Sequence, residues 1–285
     1  GGSGNRRGLF NPRFAAQKGF ESDFFGPAFA RAIKMFERLA DVDYAACGSL
    51  HLITDDDKQN RFTKIEANWD WHVDHMRMVD AAEATRIAGI PLKHSALYLP
   101  DAGMVSPFKV TQALAKCATI HMHDIQEFFQ TDTGWNVMGD VFDAVVLTGG
   151  KDIARFKETA HLPVQAVSGQ ISYIVTPAVL THLKANLCYG GYATPNMNGD
   201  MVVGSTFQHW LQEDALRDED HRDVLAKLQT MTPEWNEDVV IQGGRASFRC
   251  ASKDRVPIIG ALAQQGLYLS AAHGSHGLLS SGMGA

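Results

Sequence analysis

The sequence predicts an α/β fold in which a buried, parallel sheet interleaves with a second, antiparallel layer. Three observations carry this. Asp143-Ala144-Val145-Val146-Leu147-Thr148-Gly149-Gly150 is a nearly continuous apolar run ending in glycines, the pattern of a strand buried on both faces. Residues 164–210 alternate apolar and polar side chains, as strands with one covered face do. Leu267–Ala271 is a last short apolar strand, and Gly274-Ser275-His276-Gly277 follows as a turn that opens a helix.

The elements follow in order. Phe25, Phe29, Ile33, Phe36 and Leu39 recur at helical spacing, so residues 22–40 read as an amphipathic helix capped by Ser22 or Asp23. Leu50–Thr54 reads as a strand, with a polar helix from Asp55. Met76–Ala88 reads as a helix that Gly89 stops. Ala96–Leu99 is a short strand. Ser106-Pro107 opens a helix to Cys117, with serine as the cap and proline in the first turn. Ile120–Phe129 is strand-like. Gln170–Val175, Ala178–Ala185, Met201–Phe207 and Gly244–Arg249 read as strands, and Asp218–Met231 as a helix.

Composition narrows the function classes. A chain of 285 residues can bury a sizeable core in one or two domains. The formal charge of −6 leaves no broad basic surface and argues against tight, nonspecific nucleic-acid binding. Cys47, Cys117, Cys188 and Cys250 form no CxxC pair and read as reduced thiols of a cytoplasmic protein. No apolar run reaches the ~18–20 residues a membrane helix needs. His72 with His75, and His121 with His123 and Asp124, lack a third ligand set at zinc spacing, so no metal site is expected. The scattered Trp69, Trp71, Trp135, Trp210 and Trp235 read as core or rim. Ser275 lacks the G-x-S-x-G elbow of a serine hydrolase.

The richest stretch is Ala246–Gly260 with Gly266–Leu278. An arginine lies on a strand, a charged turn follows, and Pro257-Ile258-Ile259-Gly260 closes the first segment. Backbone N–H groups at the start of the following helix suit an electron-rich ring edge, and the glycines allow close approach. These segments resemble the C-terminal signature of the FAD-dependent D-amino-acid oxidase and glycine oxidase superfamily. Ser3-Gly4-Asn5 with Gly8 is similar to the segment after the first βαβ unit of those enzymes. Cys188-Tyr189-Gly190-Gly191-Tyr192-Ala193-Thr194-Pro195, Asn198-Gly199-Asp200 and Val203-Gly204-Ser205-Thr206-Phe207 resemble one subgroup more closely. That subgroup is the oxidoreductase module of the bifunctional enzyme that makes 5-methylaminomethyl-2-thiouridine in tRNA.

The family begins with a strand, G-x-G-x-x-G and a helix. Gly2-Ser3-Gly4-Asn5-Arg6-Arg7-Gly8 does not supply them: its spacing is off by one, no strand precedes it, and Pro12 follows closely. The resemblance therefore implies a Rossmann-like FAD-binding domain without its first βαβ unit, in a chain truncated at both ends, with a helix missing beyond Ala285. It divides the chain into FAD-binding segments 1–45, 100–160 and 245–285 and substrate-domain segments 46–99 and 161–244.

The same resemblance implies FAD-dependent oxidation of the carbon beside a secondary amine, followed by hydrolysis of the imine and reoxidation by dioxygen. In the subgroup the substrate is 5-carboxymethylaminomethyl-uridine at the tRNA wobble position, which loses glyoxylate, and the parent protein carries a methyltransferase domain. Arg249 would grip the substrate carboxylate bidentately; its bland alternative is a surface strand arginine in a salt bridge. Arg255 would contact substrate or be a solvated turn residue. Ser3, Gly4 and Asn5 would lie by the flavin, Gly149 and Gly150 by the FAD phosphates or ribose. Gly274, Ser275, His276, Gly277 and Leu278 would face the flavin pyrimidine edge, with no acid–base role for His276. Two other readings stand beside this one: an oxidase of glycine, sarcosine or a D-amino acid, and a noncatalytic fragment unable to hold FAD.

Overall fold

The computed structural model describes residues 2–232, 235 and 238–285. A 3-10 turn at Gly2–Gly4 leads into β1 (Gly8–Phe10) and α1 (Phe20–Arg38). Gly19 stands at the cap of α1 and donates its N–H to Ser22 Oγ at 2.9 Å, so the serine closes the first turn from inside it. β2 (Ser49–Leu52) precedes α2 (Asp56–Trp69), where Asp55 accepts from the Lys58 N–H at 2.8 Å. The stretch expected as one helix from Met76 is instead β3 (Arg77–Val79) and α3 (Ala81–Ala88). Asp80 is the cause: it caps α3 by accepting from the Glu83 N–H at 2.8 Å, and the residues before it pair with β4 (Ala96–Leu99).

β5 (Gly103–Val105) and α4 (Pro107–Leu114) follow, then a meander of β6 (Phe128–Thr131), β7 (Gly134–Val137) and β8 (Asp140–Phe142). The strand expected over Ile120–Phe129 is irregular until Phe128. Ile120 and Met122 are exposed, while Phe128 and Trp135 bury together and anchor the meander. β9 (Val145–Leu147), β10 (Val164–Ile174), β11 (Asn186–Cys188), β12 (Tyr192–Ala193) and β13 (Met201–Gly204) come next. Ala178–Ala185, expected as a strand, forms only a 3-10 turn at Ala178–Leu180 after Pro177. Its apolar residues Leu180, Leu183 and Ala185 fill the core without pairing. α5 (Asp218–Met231), β14 (Ile241–Ser252), β15 (Ile258–Ala261), β16 (Leu267–Ala271) and α6 (Gly277–Met283) complete the chain.

The large sheet has the order β14-β10-β13-β12-β11-β2-β4-β3, antiparallel throughout except where β11 meets β2. β9 and β16 are parallel, with β15 antiparallel on the far side of β16. The fold is thus mixed α/β. One core lies under the large sheet with α3 and α5; a second, rich in phenylalanine, packs α1 and α2 around Phe10. No helix among the described residues is long and apolar enough to cross a membrane.

Candidate active site

At the carboxyl ends of the parallel pair β9 and β16 lies an open cavity of about 1640 Å³. Loops diverge at such strand ends, which is where α/β sheets hold ligands. Thr148, Gly149 and Gly150 and the turn from Ser270 to Leu278 form one wall. The N-terminal segment from Gly2 to Asn11 forms another, α1 and α4 a third, and Phe248, Arg249 and Cys250 of β14 the fourth.

Arg249 is held firmly. Its Nη2 donates to Ser205 Oγ at 2.8 Å and its Nη1 to the Thr206 carbonyl at 3.3 Å. The guanidinium also lies over the Phe207 ring, 4.4 Å from its centroid. Antiparallel pairing of β10 with β14 sets Val167 opposite Arg249, and Gly169, two residues on, leaves the room the guanidinium occupies. Burial lowers the pKa of Arg249, partly offset by the neighbouring Tyr192, and burial pushes the Tyr192 phenol up to about 12. No aspartate or glutamate among the described residues pairs with Arg249.

The glycines face open space. A Cβ on Gly150 (φ 61°) or Gly274 (φ 57°) would meet nothing within 4 Å, and one on Gly149 would meet only Ile153 at 3.8 Å. Two of the amides expected to face a ligand are already engaged. Gly274 donates to the Cys250 carbonyl at 2.9 Å and His276 to the His273 carbonyl at 3.1 Å. The amides of Ser275, Gly277 and Leu278 have no partner among the described residues. His276 packs on Phe25, and burial together with Arg13 holds its pKa down to about 4, so it stays neutral.

Ser3, Asn5, Gly149, Gly150, Arg249 and Gly274–Leu278 therefore converge on one cavity, although they come from four separate segments. Gly4 does not line it; its Cα lies against the Arg245 guanidinium, which donates to Asn5 Oδ1 at 3.1 Å. Arg255 does not reach it either. The turn at Arg255 (φ 62°) leaves its side chain exposed, and its carbonyl accepts from Arg13.

Some lining residues carry no role in the sequence reading. Tyr192 stands beside Arg249. Asn11 donates to Cys188 Sγ at 3.6 Å and leaves its Oδ1 buried without a partner. His273 bridges Ser270 and Ser280 at 3.1 and 2.8 Å. Tyr192 and His273 had a signal, their places in the Cys188–Pro195 motif and the Gly266–Leu278 stretch; Asn11 had none.

The cavity fits FAD on three counts: its volume, its bare glycine faces and its charge. Three cations of α1 line it, and no aspartate or glutamate among the described residues does. An elongated, anionic dinucleotide suits such a wall.

Comparison with known proteins agrees. Glycine oxidase from Geobacillus kaustophilus superposes with a TM-score of 0.83 at 18% identity, covering 97% of this chain and 80% of that one. Iminodiacetate oxidase from a Chelativorans species gives 0.80 at 20% identity, covering 99% and 83%. L-proline dehydrogenase from P. horikoshii gives 0.79 at 15% identity, covering 96% and 79%. These likenesses are of fold. The family match spans residues 1–285, and the chain belongs to the DAO family of FAD-dependent oxidoreductases.

Proposed function

We propose that this chain oxidises the carbon beside the nitrogen of an amine that also carries a carboxylate, such as glycine, sarcosine or a related N-substituted glycine. Arg249 carries the reading: a half-buried cation on the cavity wall, oriented by Ser205, Thr206 and Phe207 and unpaired with any described carboxylate. A partly desolvated guanidinium in that state gains most from a bidentate carboxylate ligand. Gripping the carboxylate fixes the substrate and holds the adjacent carbon toward the Gly274–Leu278 turn. FAD, when bound, accepts the hydride from that carbon. Ser3, Asn5, Gly149, Gly150, Gly274, Ser275, His276, Gly277 and Leu278 are the residues we assign to holding it; Gly4, set against Arg245 and off the cavity wall, has no such place. His276 stays neutral there, so its ring adds no charge against the cofactor. Arg255, exposed and away from the cavity, has no place in this reading.

The division into FAD-binding segments (1–45, 100–160, 245–285) and substrate-domain segments (46–99, 161–244) is part of the proposal. Every strand of the large sheet falls in the second set except β14, most of which, from Arg245 to Ser252, lies in the first. The four cysteines are unpaired, in keeping with a cytoplasmic setting. The likeness to amine oxidases of small substrates favours a small N-substituted glycine.

A second reading keeps the same chemistry and enlarges the nitrogen substituent to a wobble uridine of tRNA, with release of glyoxylate. Phe207, His209 and Trp210 favour it: they are exposed on the loop that holds Arg249, where an aromatic base would find stacking partners.

The test is a substrate panel of glycine, sarcosine, iminodiacetate, benzylamine and wobble-modified tRNA, followed through hydrogen peroxide and glyoxylate release. Arg249→Met is expected to lower kcat/KM about 100-fold for the carboxylate amines. An equal loss on benzylamine, which has no carboxylate, would count against the assigned role.

A further inference from the structure

We propose that α1 supplies the phosphate-binding charge of this cavity: Arg31, Lys34 and Arg38 hold the diphosphate of FAD. The three sit at helical spacing, three and four residues apart, on one face of α1. The opposite face buries Phe25, Phe29 and Phe36 in the core, so the cationic face is fixed in direction by packing. All three side chains are exposed and line the cavity. None has an ion-pair or hydrogen-bond partner among the described residues.

The charge pattern is selective. The chain carries 32 acidic against 26 basic side chains, yet no described aspartate or glutamate lines this cavity. Three unneutralised cations on one helix face repel each other, and an anion bearing more than one charge relieves that repulsion. Gly149 and Gly150 line the same cavity with no Cβ, leaving room for close approach of such a group. A diphosphate matches this charge better than the single carboxylate that Arg249 can take alone. A nucleic-acid backbone is the weaker match, since the net charge of −6 opposes tracking along a long polyanion. The inference rests on the FAD of the family and not on the amine reading of Arg249.

The experiment titrates the full chain with FAD and with riboflavin, which lacks the diphosphate, following flavin fluorescence. Arg31→Gln, Lys34→Gln, Arg38→Gln and the triple variant are compared with the wild type. FAD affinity is expected to fall about tenfold for each charge removed, with riboflavin affinity unchanged. Arg249→Met is expected to keep full FAD affinity while losing carboxylate substrates, which separates this proposal from the substrate reading. Wild-type FAD affinity in the triple variant, an equal loss for riboflavin, or no FAD binding by the wild-type chain each overturns it. So does unchanged FAD affinity with lost binding of a single-stranded oligoribonucleotide, which would give the stripe to nucleic acid.

Discussion

Gly169 decides whether Arg249 can sit where it does. A Cβ there would stand 2.6 Å from Arg249 Cζ and 2.7 Å from the Thr206 carbonyl oxygen, and the carbonyl belongs to backbone that cannot swing aside. Gly169→Ala keeps the positive charge and moves it. The expected result is a rise in KM for carboxylate amines of about 100-fold, with FAD affinity unchanged; steady-state kinetics beside a flavin titration reads both. Arg249 was legible from sequence because its strand runs into the Lys253-Asp254 turn and Pro257. Gly169 was not, because its close approach depends on which residue of β14 lies across from it. Arg255 shows the converse limit: a residue inside the motif that the left-handed turn directs away from the cavity.

At the scale of elements, local chemistry was legible where a cap or a sustained period marked it. Asp218–Met231 and Leu267–Ala271 have the boundaries read from the sequence. Asp80 was the misread signal. Apolar residues on both sides of it suggested one helix, but an aspartate is a better cap than an interior residue. Asp80→Ala is expected to cost about 1 kcal/mol and to lower the thermal midpoint by about 2–4 °C. Calorimetry checks this, and a midpoint equal to the wild type's would mean that pairing of β3 with β4 alone sets the boundary. The meander β6–β8 escaped because its strands are three or four residues long and partly exposed, so no period builds up.

Across the whole molecule, half-buried histidines weaken the fold toward acid. His51 lies between Phe14 and Phe62 with its Nε2 unpartnered, and burial, the largest cause, lowers its pKa to about 4 from an ordinary 6.5. The folded state therefore binds fewer protons than the unfolded state between those values. Stability is full above pH 6.5 and falls as the pH drops toward 4, by up to about 1.4 kcal/mol per pH unit for this residue. His276 behaves in the same direction. Thermal midpoints at pH 7 and pH 5 should diverge more in the wild type than in His51→Phe; parallel declines would remove His51 as the cause. The fold class was legible at this scale because composition and strand pattern agree. The convergence of four distant segments on one cavity was visible only through the family likeness, since no local rule brings Asn5, Gly149, Arg249 and Gly274 together.

β14 has a further consequence for how the molecule breathes. It is the outermost strand of the large sheet, laddered to β10 along one edge and touched on the other by a single bridge from Ala251 to His273. Amide deuteration along Ile241–Ser252 should therefore alternate with a period of two. Amides aimed at β10 exchange slowly, and those aimed outward exchange quickly. The wall that carries Arg249 is anchored on one edge only, so the 272–278 turn can loosen, and admit a molecule as long as a dinucleotide, without unzipping the sheet behind it.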